Sequence, residues 1–147
     1  MTDDEFEQYL VDFSHDQVAS LRNLRDLINQ NAEGLEEFVN TGRWLNGFVF
    51  YAAFGQMIYA IGPKGKVKTT FHMMPYYGSP TLQARHGDTL SRFLTGRSCI
   101  AFRNYLELPL DALTDIILRG TPVMVEMMEA RGHAERTRRT RSQQKPT

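Results

Sequence analysis

Apolar side chains recur at helical spacing near the start of the chain, in two separate runs. The first run is Phe6, Tyr9, Leu10 and Phe13, and the second is Val18, Leu21, Leu24, Leu27 and Ile28. Ser14 lies between them and is a residue type that caps helix N-termini. The pattern predicts two amphipathic helices, each with an apolar stripe that must be covered by another element.

The middle of the chain carries runs that are typical of β-strands. Apolar or alternating residues cover 48–53, 57–61, 66–73 and 98–103. A turn is predicted at Gly62-Pro63-Lys64-Gly65. Within 66–73, alternation places Val67, Thr69, Phe71 and Met73 on a buried face. The opposite, solvated face would then carry Lys66, Lys68, Thr70 and His72.

The segment from Met74 to Thr95 is expected to cross the solvated face of the sheet as a loop. It would include a short helix that Asp88 caps and Gly96 ends. Further along, Pro109 predicts a helix that ends at Gly120, and Pro122 predicts the start of another. The predicted class is therefore α+β, with a mainly antiparallel sheet of about four to five strands and two N-terminal and two C-terminal helices packed on it.

The charges are unevenly distributed, although the 147-residue chain has no net charge. Up to Asn40, ten acidic residues face two basic ones, whereas six basic residues from Arg131 onward face only Glu135. The basic end has no aromatic residue for base stacking and no apolar period. We predict one domain over 1–132 and a disordered basic tail over 133–147. Weak, salt-sensitive contact of this tail with a polyanion is the alternative, and no other nucleic-acid contact is expected.

The location of the protein is predicted from what the sequence lacks. No apolar run approaches the roughly 18 residues of a membrane span. The acidic start, Met1-Thr2-Asp3-Asp4-Glu5, is unlike a signal peptide. The single cysteine, Cys99, cannot form an internal disulfide and fits a reducing compartment. We expect a cytoplasmic protein with no membrane contact.

No motif of the chain predicts catalysis or a cofactor. Ser98 and Cys99 have no neighbouring base, and no Gly-x-Ser-x-Gly elbow is present. His72 and His86 lie fourteen residues apart, without the close spacing that presents two metal ligands on one face. We therefore predict no catalytic residue, and enzymatic activity is left open.

The sequence does predict a ligand pocket between the 74–95 segment and the solvated face of the sheet. Cationic side chains beside aromatic ones suit a small anion, such as a carboxylate or a phosphate ester. The predicted ligand-binding residues are Trp44, Lys66, Lys68, His72, Tyr76, Tyr77, Arg97, Ser98 and Arg103. The alternative interpretation is that the lysines form a solvated strand face and the tyrosines cover the core.

Three stretches together resemble a known family. They are Gly96-Arg97-Ser98-Cys99-Ile100-Ala101-Phe102-Arg103, the segment with Trp44, Leu45 and 48–53, and His72-Met73-Met74-Pro75-Tyr76-Tyr77-Gly78. They resemble the YdhG-like family of small bacterial domains, mostly of unknown function, over about 6–118. The resemblance implies the same α+β fold. Two positions depart from the family pattern, since Gly42-Arg43-Trp44 replaces Gly-x-Pro and Arg97 stands where lysine is commoner.

The resemblance implies an alternative to the binding of a small anion. One YdhG-like member is regarded as a frataxin-like iron chaperone, which implies weak iron contacts from the acidic first helix, at Asp3, Asp4, Glu5, Glu7 and Asp12. Taken alone, such carboxylates usually indicate a solvated surface and a favourable helix N-terminus, and loose binding of a hard cation is the alternative. A third function is protein interaction or homodimerisation through Met124, Met127 and Met128, although methionines at helical spacing also occur in ordinary cores.

Overall fold

The computed structural model describes residues 1–144 of the chain. The helices are α1 (Asp3–Tyr9), α2 (His15–Asn31), α3 (Met74–Tyr77), α4 (Pro80–Leu90) and α5 (Leu110–Gln144). The strands are β1 (Glu36–Val39), β2 (Val49–Ala53), β3 (Gln56–Lys64), β4 (Lys68–Met73) and β5 (Cys99–Phe102), and a 3₁₀ turn spans Tyr105–Glu107. The strands form one antiparallel sheet in the order β1-β2-β3-β4-β5, which confirms the predicted α+β class.

The two predicted N-terminal helices are present, and each begins with a capping box. The Thr2 hydroxyl accepts the backbone N–H of Glu5 at 3.1 Å, and the Glu5 carboxylate accepts that of Thr2. Ser14 and Gln17 make the same reciprocal pair at the start of α2. These bonds satisfy backbone donors that have no partner inside the helix, so both helices begin at defined residues.

The main core lies between one face of the sheet and the long helices. Cross-strand partners share a face, and Tyr59 pairs with Tyr51 and Met73 while Ile61 pairs with Val49 and Phe71. All of these side chains are buried. Both α2 and α5 contact β3. Their apolar stripes, with Leu21, Leu24, Leu113, Ile116 and Ile117 fully buried, cover this face.

The other face of the sheet, called the second face below, is covered differently from the prediction. Register places Phe38, Phe50, Ala60, His72 and Cys99 in one row across the five strands. The β1–β2 loop folds back on this row, since the rings of Trp44 and Phe48 lie 5.9 Å and 6.1 Å from His72. The predicted cover, 74–95, instead forms α3 and α4, which contact α5. The prediction of a loop across the sheet was therefore wrong.

Several element boundaries also differ from those predicted. Gly62 and Pro63 belong to β3, and the turn follows them at 65–67. A proline is tolerated there because β2 begins at Val49, opposite Ile61, so Pro63 pairs only with β4. The prediction of a helix that Asp88 caps and that runs on towards Gly96 was wrong. The helix α4 begins at Pro80, because the Ser79 hydroxyl accepts the N–H of Leu82 at 3.1 Å, and it ends at Leu90 with Asp88 inside its last turn. The sequence did not predict β1.

The C-terminal part of the described chain is one helix, where two helices and a disordered tail were predicted. α5 continues through Pro122, with Thr121 and Met128 buried on either side of it. The helix also includes 133–144, so the predicted disorder does not describe that range; 145–147 lie outside the described residues. Alanine, glutamate and arginine are strong helix formers, and they extend the helix although its side chains over 133–141 are exposed. None of the described helices has the length and apolar character needed to cross a membrane.

Candidate functional site

A pocket of about 560 Å³ lies between the α3–α4 corner and the loop that leads into β5. Its lining residues are Tyr76, Tyr77, Gln83, Leu94, Gly96 and Arg97. We call it the Arg97 pocket. Its volume lies in the range of sites that take small molecules. Three of the predicted ligand-binding residues, Tyr76, Tyr77 and Arg97, line it.

The tyrosine side of the Arg97 pocket is held in place by Gln83. Its amide Nε2 donates to the carbonyl oxygens of Tyr76 at 3.1 Å and Tyr77 at 3.0 Å. These bonds tie α4 to the end of α3. Tyr76 is buried, whereas Tyr77 is 47% exposed. Tyr76 therefore anchors the corner in the core, and the Tyr77 ring is available to a ligand.

The arginine side of the pocket is a tight turn before β5. The Thr95 N–H donates to the Cys99 carbonyl at 3.1 Å, and the Thr95 hydroxyl lies 3.2 Å from the Cys99 sulfur. A Cβ at Gly96 would lie 3.2 Å from that sulfur, a tight contact that glycine avoids. The turn presents Arg97 to solvent.

The electrostatics of the pocket favour an anion. Among the residues that the structure describes, no ion pair involves Arg97, and no carboxylate lines the pocket. Burial raises the pKa of Tyr76, so its phenol stays neutral. The pocket therefore combines one uncompensated guanidinium with an aromatic wall and an apolar contact from Leu94.

The remaining predicted ligand-binding residues lie elsewhere. Trp44 and His72 are together on the second face. Lys66 and Lys68 are exposed at the β3–β4 turn. The Ser98 carbonyl accepts the N–H of Met73 at 2.6 Å, which is a structural bond between β4 and the start of β5. The structure thus divides the single predicted pocket among several places.

Arg103 lines a second cleft of about 580 Å³, between α2 and the 3₁₀ turn. Its guanidinium Nε lies 2.8 Å from the Asp16 carboxylate. Glu107 and His15 also line this cleft. Because the arginine is already paired and carboxylates are present, this cleft is less suited to an anion than the Arg97 pocket.

A polar cluster around Asp115 was not found by the sequence analysis. The His86 Nε2 lies 2.6 Å from one Asp115 oxygen, and the Arg119 Nε lies 2.6 Å from the other. The hydrogen bond from His86, followed by those from Arg119 and Arg85, lowers the pKa of Asp115 to about 2. The cluster ties α4 to α5. The i,i+4 spacing of Asp115 and Arg119 is visible in the sequence, but nothing there brings His86 to it.

Three of the five carboxylates predicted as iron contacts have other partners in the structure. Asp3 bonds to Arg25 at 2.7 Å, Glu7 bonds to Arg22, and Glu5 completes the α1 capping box. Asp4 and Asp12 are exposed. Within the described part of the chain, no group of three or more His, Cys, Asp or Glu residues is placed to share a metal ion.

Comparison of the chain with protein-family models, curated proteins and solved structures gives no match. The YdhG-like resemblance therefore stays a prediction that rests on the sequence motifs.

Proposed function

We propose that the protein is a non-catalytic binding module for a small anionic ligand, which it takes in the Arg97 pocket. The observation that carries this proposal is the unpaired guanidinium of Arg97 beside the exposed ring of Tyr77. An arginine without a carboxylate partner attracts the carboxylate or phosphate of a ligand in its place. No nucleophile and base come together in this pocket, so binding alone is proposed.

The ligand would have two parts. Its anionic group would receive two parallel N–H bonds from the Arg97 fork, a geometry that lysine cannot supply. Its body would lie on the Tyr77 ring and Leu94, because these side chains offer the apolar surface of the pocket. Carboxylates and phosphate esters that carry a flat or apolar group of modest size are the matching ligand class.

Thermal unfolding in the presence of a panel of anionic metabolites tests this proposal. A ligand at a hundred times its dissociation constant adds about 2.7 kcal/mol to the free energy of unfolding, and the midpoint rises by several degrees. The shift should disappear in Arg97→Ala and persist in Arg131→Ala, a matched control at an exposed arginine of α5. An anion-induced shift that Arg97→Ala retains would contradict the proposal.

Self-association through α5 is a second candidate function. Val123 is 56% exposed and Met127 44% exposed on this helix. Both line an apolar groove of about 200 Å³ with Leu82 and Met124. We propose that a second copy of the chain covers this groove. Light scattering after size exclusion should then give a dimer that Val123→Glu converts to a monomer, and a monomeric parent protein would exclude it.

A further inference from the structure

The second face of the sheet leaves four aromatic side chains wholly or partly in contact with solvent. Trp44 is 59% exposed and Phe38 is 39% exposed, and Phe50 and His72 beside them are partly exposed. The rings of Phe38 and Phe50 lie 5.8 Å apart, and Trp44 packs edge-on against His72. We call these four residues the aromatic face. Three of them lie on β1, β2 and β4, and Trp44 lies on the β1–β2 loop.

The loop that carries Trp44 is fixed by its own polar side chains. The Asn40 amide donates to the Trp44 carbonyl at 2.7 Å, and the Asn46 amide donates to the Thr41 carbonyl at 3.0 Å. The loop is also tied to α1, because the Tyr9 hydroxyl donates to the Gly47 carbonyl at 2.6 Å. The backbone that carries Trp44 is therefore held in place by these bonds, and its ring packs edge-on against His72.

Positive charges lie on the same face. Lys64 and Lys68 are cross-strand partners at the open end of β3 and β4. Lys68 and His72 are four residues apart on one strand, and therefore share the second face at a separation of about 13 Å. Arg43 precedes Trp44. Within the described part of the chain, Arg43, Lys64 and Lys68 are in no ion pair, and all three are exposed.

The acidic groups of this face are few. Register places Glu36 at the β1 edge, opposite Ala52. Arg103, at the end of β5, is already paired with Asp16 and is not counted among the free cations. Exposed rings with a flanking row of unpaired cations match a partner that is both flat and negatively charged.

We propose that the aromatic face binds a short stretch of single-stranded nucleic acid. Unpaired bases would stack on Trp44 and Phe38, and the phosphates that follow them would reach Lys64 and Lys68. Duplex nucleic acid fits poorly because its bases are already stacked. A second copy of the chain fits poorly too, since two such faces would bring their lysines together. This site is separate from the Arg97 pocket and from the basic end of α5.

Trp44 is the only tryptophan of the chain, so its fluorescence reports directly on this face. Titration of the full chain with a twelve-nucleotide oligothymidylate should quench the emission in a saturable way. A blunt duplex of the same length should bind more weakly. In anisotropy measurements with the labelled oligonucleotide, Trp44→Ala should weaken binding about tenfold or more, whereas Trp44→Phe keeps most of it. The double variant Lys64→Gln, Lys68→Gln should reduce the salt slope by about 1.4.

The double variant Arg138→Gln, Arg139→Gln in α5 is the matched control, and it should leave quenching unchanged. Absence of quenching, or equal affinity for the duplex, would overturn the proposal. Binding that survives Trp44→Ala and is lost in the α5 variant would also overturn it, because the basic end of the helix would then be the site. Circular dichroism and the unfolding midpoint establish whether Trp44→Ala is folded, and the smaller salt slope of the Lys64→Gln, Lys68→Gln variant provides the test if it is not.

Discussion

The phenol oxygen of Tyr59, on the central strand β3, lies 2.6 Å from the hydroxyl oxygen of Thr121 on α5. Both residues are buried. Thr121 directly precedes Pro122, which has no N–H for the Leu118 carbonyl one turn earlier. The helix thus meets the sheet through a specific hydrogen bond at the point where its own ladder is interrupted.

Removal of either hydroxyl should therefore destabilise the protein more than removal of both. Thr121→Val leaves the Tyr59 phenol buried without a partner, at a cost of about 1–3 kcal/mol in the free energy of unfolding. Tyr59→Phe likewise leaves the Thr121 hydroxyl buried without this partner. A double-mutant cycle by urea unfolding measures the coupling, and strictly additive effects would show that the bond contributes nothing.

The two glycines of α5 should respond oppositely to alanine. A Cβ at Gly120 would lie 2.4 Å from the Cβ of Pro75, so Gly120→Ala should cost about 1–3 kcal/mol as α3 is pushed away. At Gly132 the nearest atom is the end of a flexible arginine at 3.7 Å. Gly132→Ala should stabilise the helix by up to about 1 kcal/mol. Thermal unfolding of both variants checks this, and destabilisation by Gly132→Ala would contradict a helix at that position.

Local patterns predicted much of this fold. The periodic runs in the first thirty residues and the Ser14 cap correspond to α1 and α2, because these signals depend only on nearby residues. The strand β1 was missed because its sequence, two glutamates followed by Phe38 and Val39, does not alternate between polar and apolar residues, although its exposure does. Pro122 predicted a break, but tertiary contacts on both sides of it keep α5 continuous. Such contacts join residues far apart in sequence and leave no local signal.

Because of His72, the free energy of unfolding should decrease as the pH falls below the ordinary pKa of histidine. Burial lowers the pKa of His72, and its Nδ1 is buried without a hydrogen-bond partner in the described structure. The unfolded chain then takes up a proton first as the pH falls below about 6.5, which favours unfolding. Urea unfolding between pH 7.5 and 5 should show this decline, and His72→Phe should flatten it. An equal decline in His72→Phe and in the parent would assign the effect to another group.

A second decline in stability is expected at lower pH, from Asp115. Its folded pKa of about 2 lies below that of an unfolded aspartate, so its ion pairs contribute fully above about pH 4. The contribution is lost as the pH falls from about 4 to 2. Asp115→Asn should be less stable than the parent at neutral pH and should show a smaller loss in this range. The comparison needs unfolding curves for both proteins at each pH.

The candidate site was predicted less well than the fold, for a physical reason. Alternation along β4 correctly placed Lys68 and His72 on one face, but it could not show which segment covers that face. The sequence analysis assigned the cover to 74–95. In the structure the β1–β2 loop lies over this face, and hydrogen bonds from the side-chain amides of Asn40 and Asn46 hold the loop together. Tyr77 and Arg97 line the same pocket because Gln83 holds the end of α3 and the turn at Gly96 precedes β5.

The most direct test of anion binding at Arg97 is a residue-resolved map of the bound ligand. The anion that stabilises the protein most would be titrated into ¹⁵N-labelled protein, and amide shifts would be followed by NMR. We predict saturable shifts at Tyr77, Gly96 and Arg97 and at the side-chain amide of Gln83, with none in the Arg97→Ala variant. Shifts confined to the cleft around Arg103 and His15 would contradict the Arg97 pocket as the binding site.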